Sequence, residues 1–531
     1  MKKYHLYLLS LLSGVLLSFS WFPNGLLPLL FIAFIPLLMV ENVISQHPQQ
    51  YKVSLFLCSY LTFFTWNILT TWWLKNASIG GAVMAIFLNA LIMAFFFSLF
   101  HRVKKRIGKW SGVLFICFWV GFEYIHINWD LSWSWLTIGN AFANVPDIVQ
   151  WYEYTGVLGG STWVLLINVL IFTLILNFKR YSSKIKMRFA ALLLCLLIIP
   201  LIISFFVGRS ATRFDEGSVK TVIIQPNIDP YNEKFFDSFE EQLVKMLSLA
   251  APEVDSTTEY LIFPETALTE SIWEESLGES RSLQILSDFL KKYPRLKIVA
   301  GATTLKSFSS SEELSETARK SGDGYYDIFN TAIQLDSSKT IQIYHKSKLV
   351  PGVETMPLQF IFKHFESLAI DLGGTVGSQG IQKERAVLAS SDERMKAAPV
   401  ICYESIFGEY VTEYVKNGAN FIAIITNDGW WGDTPGYKQH LQYGRLRAIE
   451  NRRWIARSAN TGVSCFITPS GKILQATDYW VPAVIVGNIG LNNELTFYSK
   501  FGDYLGRIAM YTAFLLLIYS LLIRFNIIKK V

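Results

Sequence analysis

The chain has 531 residues, of which 51% are hydrophobic, 15% aromatic and only 17% charged, whereas an average soluble chain is about a quarter charged. That deficit argues against a wholly soluble protein, and the length argues for more than one domain. The net charge is +6, but Lys and Arg fall mainly in short runs beside apolar blocks, which is a membrane-topology signal and not a nucleic-acid patch.

Seven apolar stretches come first, at about 5–22, 25–44, 53–74, 78–100, 110–127, 160–178 and 189–208, and an eighth at 505–525 closes the chain. A spanning helix needs roughly 20 such residues. The first follows Met1-Lys2-Lys3, has no clear small-residue cleavage site and runs into a second apolar stretch, so it reads as an anchor and not a signal peptide. Four basic groups fall between or beside the spans: Lys2 and Lys3, the run from His101 to Lys109, Lys179 to Arg188, and Arg524 with Lys529 and Lys530. Eight spans place all four on one side, the cytoplasm, with both termini inside and the insert outside. The expected organisation is a membrane domain over 1–208, an extracytoplasmic domain over 209–504 and a final span with a short tail over 505–531. After the fifth span, Trp129 to Trp135 and Trp151 to Tyr154 are rich in aromatics, read either as an interfacial belt or as a wall receiving lipid chains. Glu123, an ionisable residue at membrane depth, is a functional candidate by default.

In the polar region short β-like runs alternate with helical patterns at about 237–250, 280–292, 405–416 and 438–455, the signature of a layered α/β domain. Ser307 to Gly324 reads as a mobile surface loop. Three chemical groups follow apolar strands: Glu265 after Tyr260–Phe263, Lys346 after Thr340–Tyr344, and Cys402 after Ala398–Ile401. Each has a plain structural reading, as a surface Glu and Lys and a buried Cys. Together, at the ends of adjacent strands, they make a nucleophilic set. The carboxylate takes the thiol proton, the thiol attacks a carbonyl, and the ammonium holds the oxyanion. The positive end of a helix from Ser405 would favour the thiolate. A Cys–His pair stays open as an alternative, with His440 read as structural or substrate-contacting. The five cysteines form no CxxC spacing, which argues against a zinc or redox site.

The order Glu265, Lys346, Cys402 resembles the nitrilase, or carbon–nitrogen hydrolase, superfamily. Phe263-Pro-Glu-Thr266, Lys346 with Leu349-Val-Pro351 and Glu354, Cys402-Tyr403-Glu404 and the block Thr426 to Gly432 with Trp430 and Trp431 narrow this to the apolipoprotein N-acyltransferase family. Gln439, His440, Arg447, Glu450, Arg453, Arg457 and Asn460 continue the likeness, which covers essentially the whole chain. Pro351-Gly-Val-Glu354 departs from the family's common Pro-Phe-Gly-Glu. The resemblance implies a multi-span helical membrane domain plus a nitrilase-like α-β-β-α sandwich. It implies that Cys402 takes an acyl chain from the sn-1 ester of a phospholipid and passes it to the N-terminal amine of a diacylglyceryl-cysteine apolipoprotein. Lys346 and the main-chain N–H of Tyr403 would hold the oxyanion, and Glu354 and Glu404 would orient Lys346 and the incoming amine. It implies no metal or organic cofactor; the other expectations are contact with membrane lipids, no nucleic-acid partner, a monomer and a place in the bacterial inner membrane.

Two rivals remain at this stage. A tethered amidase shares the triad but leaves the other spans unexplained, and a scaffold with a degenerate outer domain would be favoured by loss of the triad, which is intact. Because lipid substrates stay in the bilayer, the loops after the catalytic strands are expected to dip apolar groups toward it: Val353, Met356, Leu358, Phe360, Ile361 and Phe362, and Trp430 and Trp431.

Overall fold

A computed structural model describes residues 2–22, 25–47, 54–108, 111–210, 217–309, 313–338, 340–355 and 378–528. The chain divides into two compact units, Met1–Val207 with Phe501–Val531, and Gly208–Lys500.

The first unit is helical. Among the described residues, Lys3–Trp21, Leu27–Gln46, Ile79–Ile107, Tyr152–Asn177, Ser183–Arg209 and Tyr504–Arg524 are long and apolar enough to cross a membrane. Leu55–Thr71 and Ser111–Ile127 have 17 residues each, a rise of about 26 Å at 1.5 Å per residue, just under the ~30 Å of a hydrocarbon core. Between Ile127 and Tyr152 the chain makes short 3-10 turns at Ser134–Leu136, Ile138–Asn144 and Pro146–Ile148. Trp135 and Tyr152 are fully buried there, and the Tyr152 hydroxyl donates to Gly139 O at 2.9 Å. Glu123 has a packing role: its Oε1 accepts the Ile138 N–H at 2.9 Å and the Trp119 indole N–H at 3.1 Å, tying these turns to the helix Ser111–Ile127. A second buried carboxylate, Glu41, pairs with Lys104 and lies 2.7 Å from His101 Nδ1.

The second unit carries fourteen strands among the described residues. β1 (Ser218–Gln225), β2 (Tyr260–Ile262), β3 (Leu268–Trp273), β4 (Lys297–Ser307), β5 (Arg319–Ser321), β6 (Gly324–Leu335) and β7 (Ile341–His345) precede β8 (Leu388–Ala389), β9 (Lys396–Ile401), β10 (Phe421–Thr426), β11 (Ile455–Ala459), β12 (Cys465–Ile467), β13 (Ile473–Leu474) and β14 (Ala483–Gly490). One sheet has the order β14-β1-β2-β4-β6-β5, with β3 on β4 and β7 on β6; the other runs β13-β12-β11-β10-β9-β8. Alternation along the first sheet divides its side chains between two cores. Val219, Ile223, Tyr260, Ile262 and Val299 pack with Val400, Phe421, Ala423 and Ala456 of the second sheet. Val222, Ile224, Leu261, Phe263 and Ile298 pack with Leu243, Met246, Leu283 and Leu286 of the helices Phe239–Ala250 and Arg281–Leu290. On the second sheet, Val411, Tyr414 and Leu441 come from the helices Gly408–Lys416 and Pro435–Asn451. The result is an α-β-β-α sandwich. β10, Phe-Ile-Ala-Ile-Ile-Thr, is buried along its whole length, as expected of a central parallel strand covered on both faces.

Three local expectations are corrected. The helix expected over 405–416 is a 3-10 turn at Cys402–Ile406 followed by Gly408–Lys416. The helix expected over 438–455 ends at Asn451, where Arg452 turns left-handed at φ 49°, and Ile455 begins β11. Part of the loop expected over 307–324 is strand, since β5 pairs with β6 from Arg319↔Tyr326 to Ser321↔Gly324.

Candidate active site

The geometry starts from strand direction. β1, β2 and β4 are mutually parallel, β6 is antiparallel to β4, and β7 is antiparallel to β6. β7 therefore runs with β2, and their C-terminal ends share one edge. β9, β10 and β11 are parallel in the second sheet. The two edges are tied: Asn460 Nδ2 donates to Ile228 O at 2.7 Å, and Asn227 N donates to Asn460 O at 3.0 Å. Ligands of parallel sheets gather beyond such carboxyl ends. The set expected on adjacent strands is thus corrected. Glu265 follows β2 and Lys346 follows β7, with β4 and β6 between them, and Cys402 comes from the other sheet.

Glu265 and Lys346 are 5% and 1% exposed. Lys346 Nζ donates to Glu265 Oε1 at 3.0 Å and to Glu354 Oε1 at 2.7 Å. Glu354 is itself fixed by the Val350 N–H at 2.8 Å. Asn330, on β6 beside Lys346, donates to Glu265 Oε1 at 2.8 Å and to Glu354 Oε1 at 3.3 Å. Burial opposes charge on Glu265, but the Lys346 ammonium, the Asn330 amide and the charge of Lys234 outweigh it and hold the carboxyl below its ordinary value. Burial likewise opposes charge on Lys346, and Glu265 and Glu354 reverse it, so this lysine stays protonated.

Cys402 is half-buried and takes φ 49°, a left-handed conformation costly for a non-glycine residue. Its carbonyl is held by the Ser405 hydroxyl at 2.7 Å and by His440 Nε2 at 3.1 Å. The expectation of a helix-favoured thiolate is corrected: the turn after it is only five residues. Burial and then the Glu265 charge push the thiol up against the pull of Lys346. A neutral thiol beside an ionised Glu265 is the arrangement for proton transfer on demand.

His440 is 1% exposed; its Nδ1 lies 2.8 Å from Asp428 Oδ1, and Asp428 Oδ2 takes Arg457 at 2.6 Å. It contacts the Cys402 main chain, a supporting position. Glu404 departs from the role the resemblance implies. It is fully buried, and its carboxylate accepts Tyr344 Oη at 2.7 Å, Tyr410 Oη at 2.6 Å, Ser347 N at 2.8 Å and Ile401 N at 2.9 Å. With its oxygens committed there, it braces the backbone next to Lys346 and Cys402. Tyr403 is buried edge-on to Phe407 at 5.2 Å. Trp430 and Trp431 are half-buried in the turn Asp428–Trp431; the Tyr231 hydroxyl donates to Trp430 O at 2.8 Å, and Trp431 stands edge-on to His440 at 5.5 Å. Val353 is half-buried, while Met356, Leu358, Phe360, Ile361 and Phe362 lie outside the described residues.

Sequence reasoning missed Asn330 and Lys234. Lys234, 3% exposed, donates from Nζ to the main-chain oxygen of Glu265 at 3.0 Å. Among the described residues no group of three or more His, Cys, Asp or Glu is arranged to hold a metal ion.

The family model of the apolipoprotein N-acyltransferase N-terminal domain matches residues 13–170, and that of carbon–nitrogen hydrolases matches residues 223–494. An apolipoprotein N-acyltransferase of Chlorobaculum tepidum is 31% identical over 509 residues, covering 94% of this chain and 93% of its own length. That of Geobacter metallireducens is 27% identical over 511 residues, covering 94% and 92%. A solved Saccharomyces cerevisiae protein of branch 10 of the nitrilase superfamily aligns with a TM-score of 0.38 and 14% identity, over 54% of this chain and 94% of that one.

Proposed function

Because this chain belongs to the apolipoprotein N-acyltransferase family, we propose that its acyl transfer runs through a thioester on Cys402, with a phospholipid as donor and the terminal amine of a diacylated apolipoprotein as acceptor. The chain is an acyltransferase and a membrane protein. The observation that carries the finer reading is the buried Glu265–Lys346–Glu354 cluster at the strand ends beside Cys402.

In the first step Glu265 takes the Cys402 proton and the thiolate attacks the sn-1 ester carbonyl. The oxyanion lies against the Lys346 ammonium and the Tyr403 N–H. Collapse breaks the ester C–O bond, Glu265 returns the proton to the departing oxygen, and a lysophospholipid leaves. In the second step the amine attacks the thioester, Glu265 receives an amine proton, and the thiolate departs and is reprotonated. Glu354, 2.7 Å from Lys346, keeps the ammonium aimed through both steps. No step calls on a cofactor.

The basic clusters support a site outside the cytoplasm with both termini inside. A reporter active only outside the cytoplasm, inserted in the 307–324 region, should be active; activity of a cytoplasm-only reporter there overturns the orientation. The chemistry is tested by incubating purified protein with phospholipid alone and weighing the Cys402 peptide. An acyl adduct is expected, absent in Cys402→Ala. No adduct on Cys402, or one on Cys465, refutes the mechanism.

A further inference from the structure

A lysine with 3% exposure is costly unless opposite charge compensates it. Lys234 lies in the loop after β1, next to the loop after β2 that carries Glu265, because the two strands are parallel neighbours. Its loop is built tightly. Asp229 O accepts the N–H groups of Glu233 at 3.1 Å and Lys234 at 2.9 Å, and Gln242 Nε2 donates to Lys234 O at 3.0 Å. The ammonium is thereby aimed at Glu265 O, 3.0 Å away. A neutral amide would satisfy that carbonyl equally well, so the hydrogen bond alone does not account for a buried charge.

The charge balance does. Lys346 alone faces two carboxylates, Glu265 and Glu354. Asp428, which also bears on Cys402, has its own partners in Arg457 and His440. Without Lys234 the cluster would hold one uncompensated negative charge next to a thiol that must become a thiolate. We infer that Lys234 is a positioning residue of this site: its ammonium fixes the Glu265 main chain and supplies the second positive charge that stabilises negative charge as it moves from Glu265 to Cys402. Burial brings its own titration down to about 8, against the pull of Glu265 and Cys402. Its contribution is therefore present at neutral pH and fades above that value.

The inference rests on the reading of Glu265 as base for Cys402, and its test uses no lipid, so failure of acyl transfer and failure of this inference are separable. Full-length protein in detergent is treated with iodoacetamide between pH 6 and 10, and alkylation of the Cys402 peptide is timed by mass. Lys234→Met should be alkylated about tenfold more slowly than wild type at pH 7, one pH unit of lost thiolate. The deficit should close by about pH 9 to 10, where wild type has lost the same charge. Lys234→Arg should match wild type at pH 7 and overtake it at the alkaline end, since it keeps its charge. A deficit of equal size at every pH, a deficit shared by Lys234→Arg, or no deficit overturns the inference. If Lys234→Met does not fold, the alkaline divergence of Lys234→Arg from wild type decides alone.

Discussion

A methyl group on Gly301 would lie 2.6 Å from the Cα of Glu265. The same methyl would meet Thr266 N at 2.4 Å and Pro264 O at 2.7 Å, all main-chain atoms with no side-chain freedom to yield. Gly301 N also donates to Pro264 O at 3.1 Å, so strand β4 and the catalytic turn lie against each other. The turn is already constrained, with Thr266 at φ 48°. Gly301→Ala should push the Glu265 turn aside and cut thioester formation by up to about a hundredfold, because misplacement of about 1 Å can cost that much. Timing the acyl adduct in folded protein checks this; wild-type rates in Gly301→Ala would mean the turn moves freely.

The lowered Glu265 carboxyl has a signed consequence. Its charged form is favoured in the folded site, so it contributes stability above the unfolded value of about 4.3 that is lost as pH falls through its lower folded value. The acid limb of thioester formation should therefore lie below the ordinary carboxylate range. Asn330→Ala removes one hydrogen bond to the carboxylate and should move that limb upward by about one pH unit. An unmoved limb would assign it to another group.

The α-β-β-α layering was legible because parallel strands buried on both faces read as apolar runs, as in Phe421–Thr426. β3 gives no such run, because Leu268–Trp273 has polar, partly exposed positions and pairs with β4. The start of β11 is hidden because the pattern of the preceding helix runs on through Arg452, and only its left-handed turn stops it. Glu265, Lys346 and Cys402 stood out because each directly follows an apolar strand. Asn330 did not, since it lies inside β6 and acquires meaning only from Lys346 across the ladder. Lys234 was hidden in a polar stretch where a lysine ordinarily reads as solvated. Sequence likewise gives no account of which carboxylate is spent on backbone, and the partners of Glu404 come into view only in the fold.

Glu404→Gln should act on the fold and on both half-reactions together. The carboxylate oxygens accept two main-chain N–H groups and the hydroxyls of Tyr344, Tyr410 and Tyr414. An amide turns one acceptor into a donor facing donors, at about 1–3 kcal/mol for the group left unsatisfied. A lower Tm is expected, with thioester formation and aminolysis reduced in proportion, because Ser347 and Ile401 adjoin Lys346 and Cys402. Normal thioester formation with aminolysis alone impaired would restore Glu404 to the amine-orienting role.

His440→Ala tests whether the conformation of Cys402 is enforced. A non-glycine residue at φ 49° stores about 1–3 kcal/mol and persists only where its surroundings over-determine it. Two groups hold the Cys402 carbonyl, the Ser405 hydroxyl and His440 Nε2, and His440 is in turn fixed by Asp428, whose other oxygen is taken by Arg457. Removing the imidazole leaves one tether on the carbonyl and lets the turn relax toward φ below zero, which swings the thiol away from Glu265 and Lys346. Losing that enforced geometry should lower kcat for thioester formation by about fivefold to 150-fold, the rate equivalent of about 1–3 kcal/mol. KM for phospholipid should change little, because His440 is 1% exposed and does not line an open surface. Asp428 keeps Arg457, so the fold should survive, as a Tm within a few degrees of wild type would show. A rise in KM with kcat unchanged would make His440 a substrate contact, and loss of all activity with intact fold and a normal Cys402 alkylation rate would make it a participant in proton transfer.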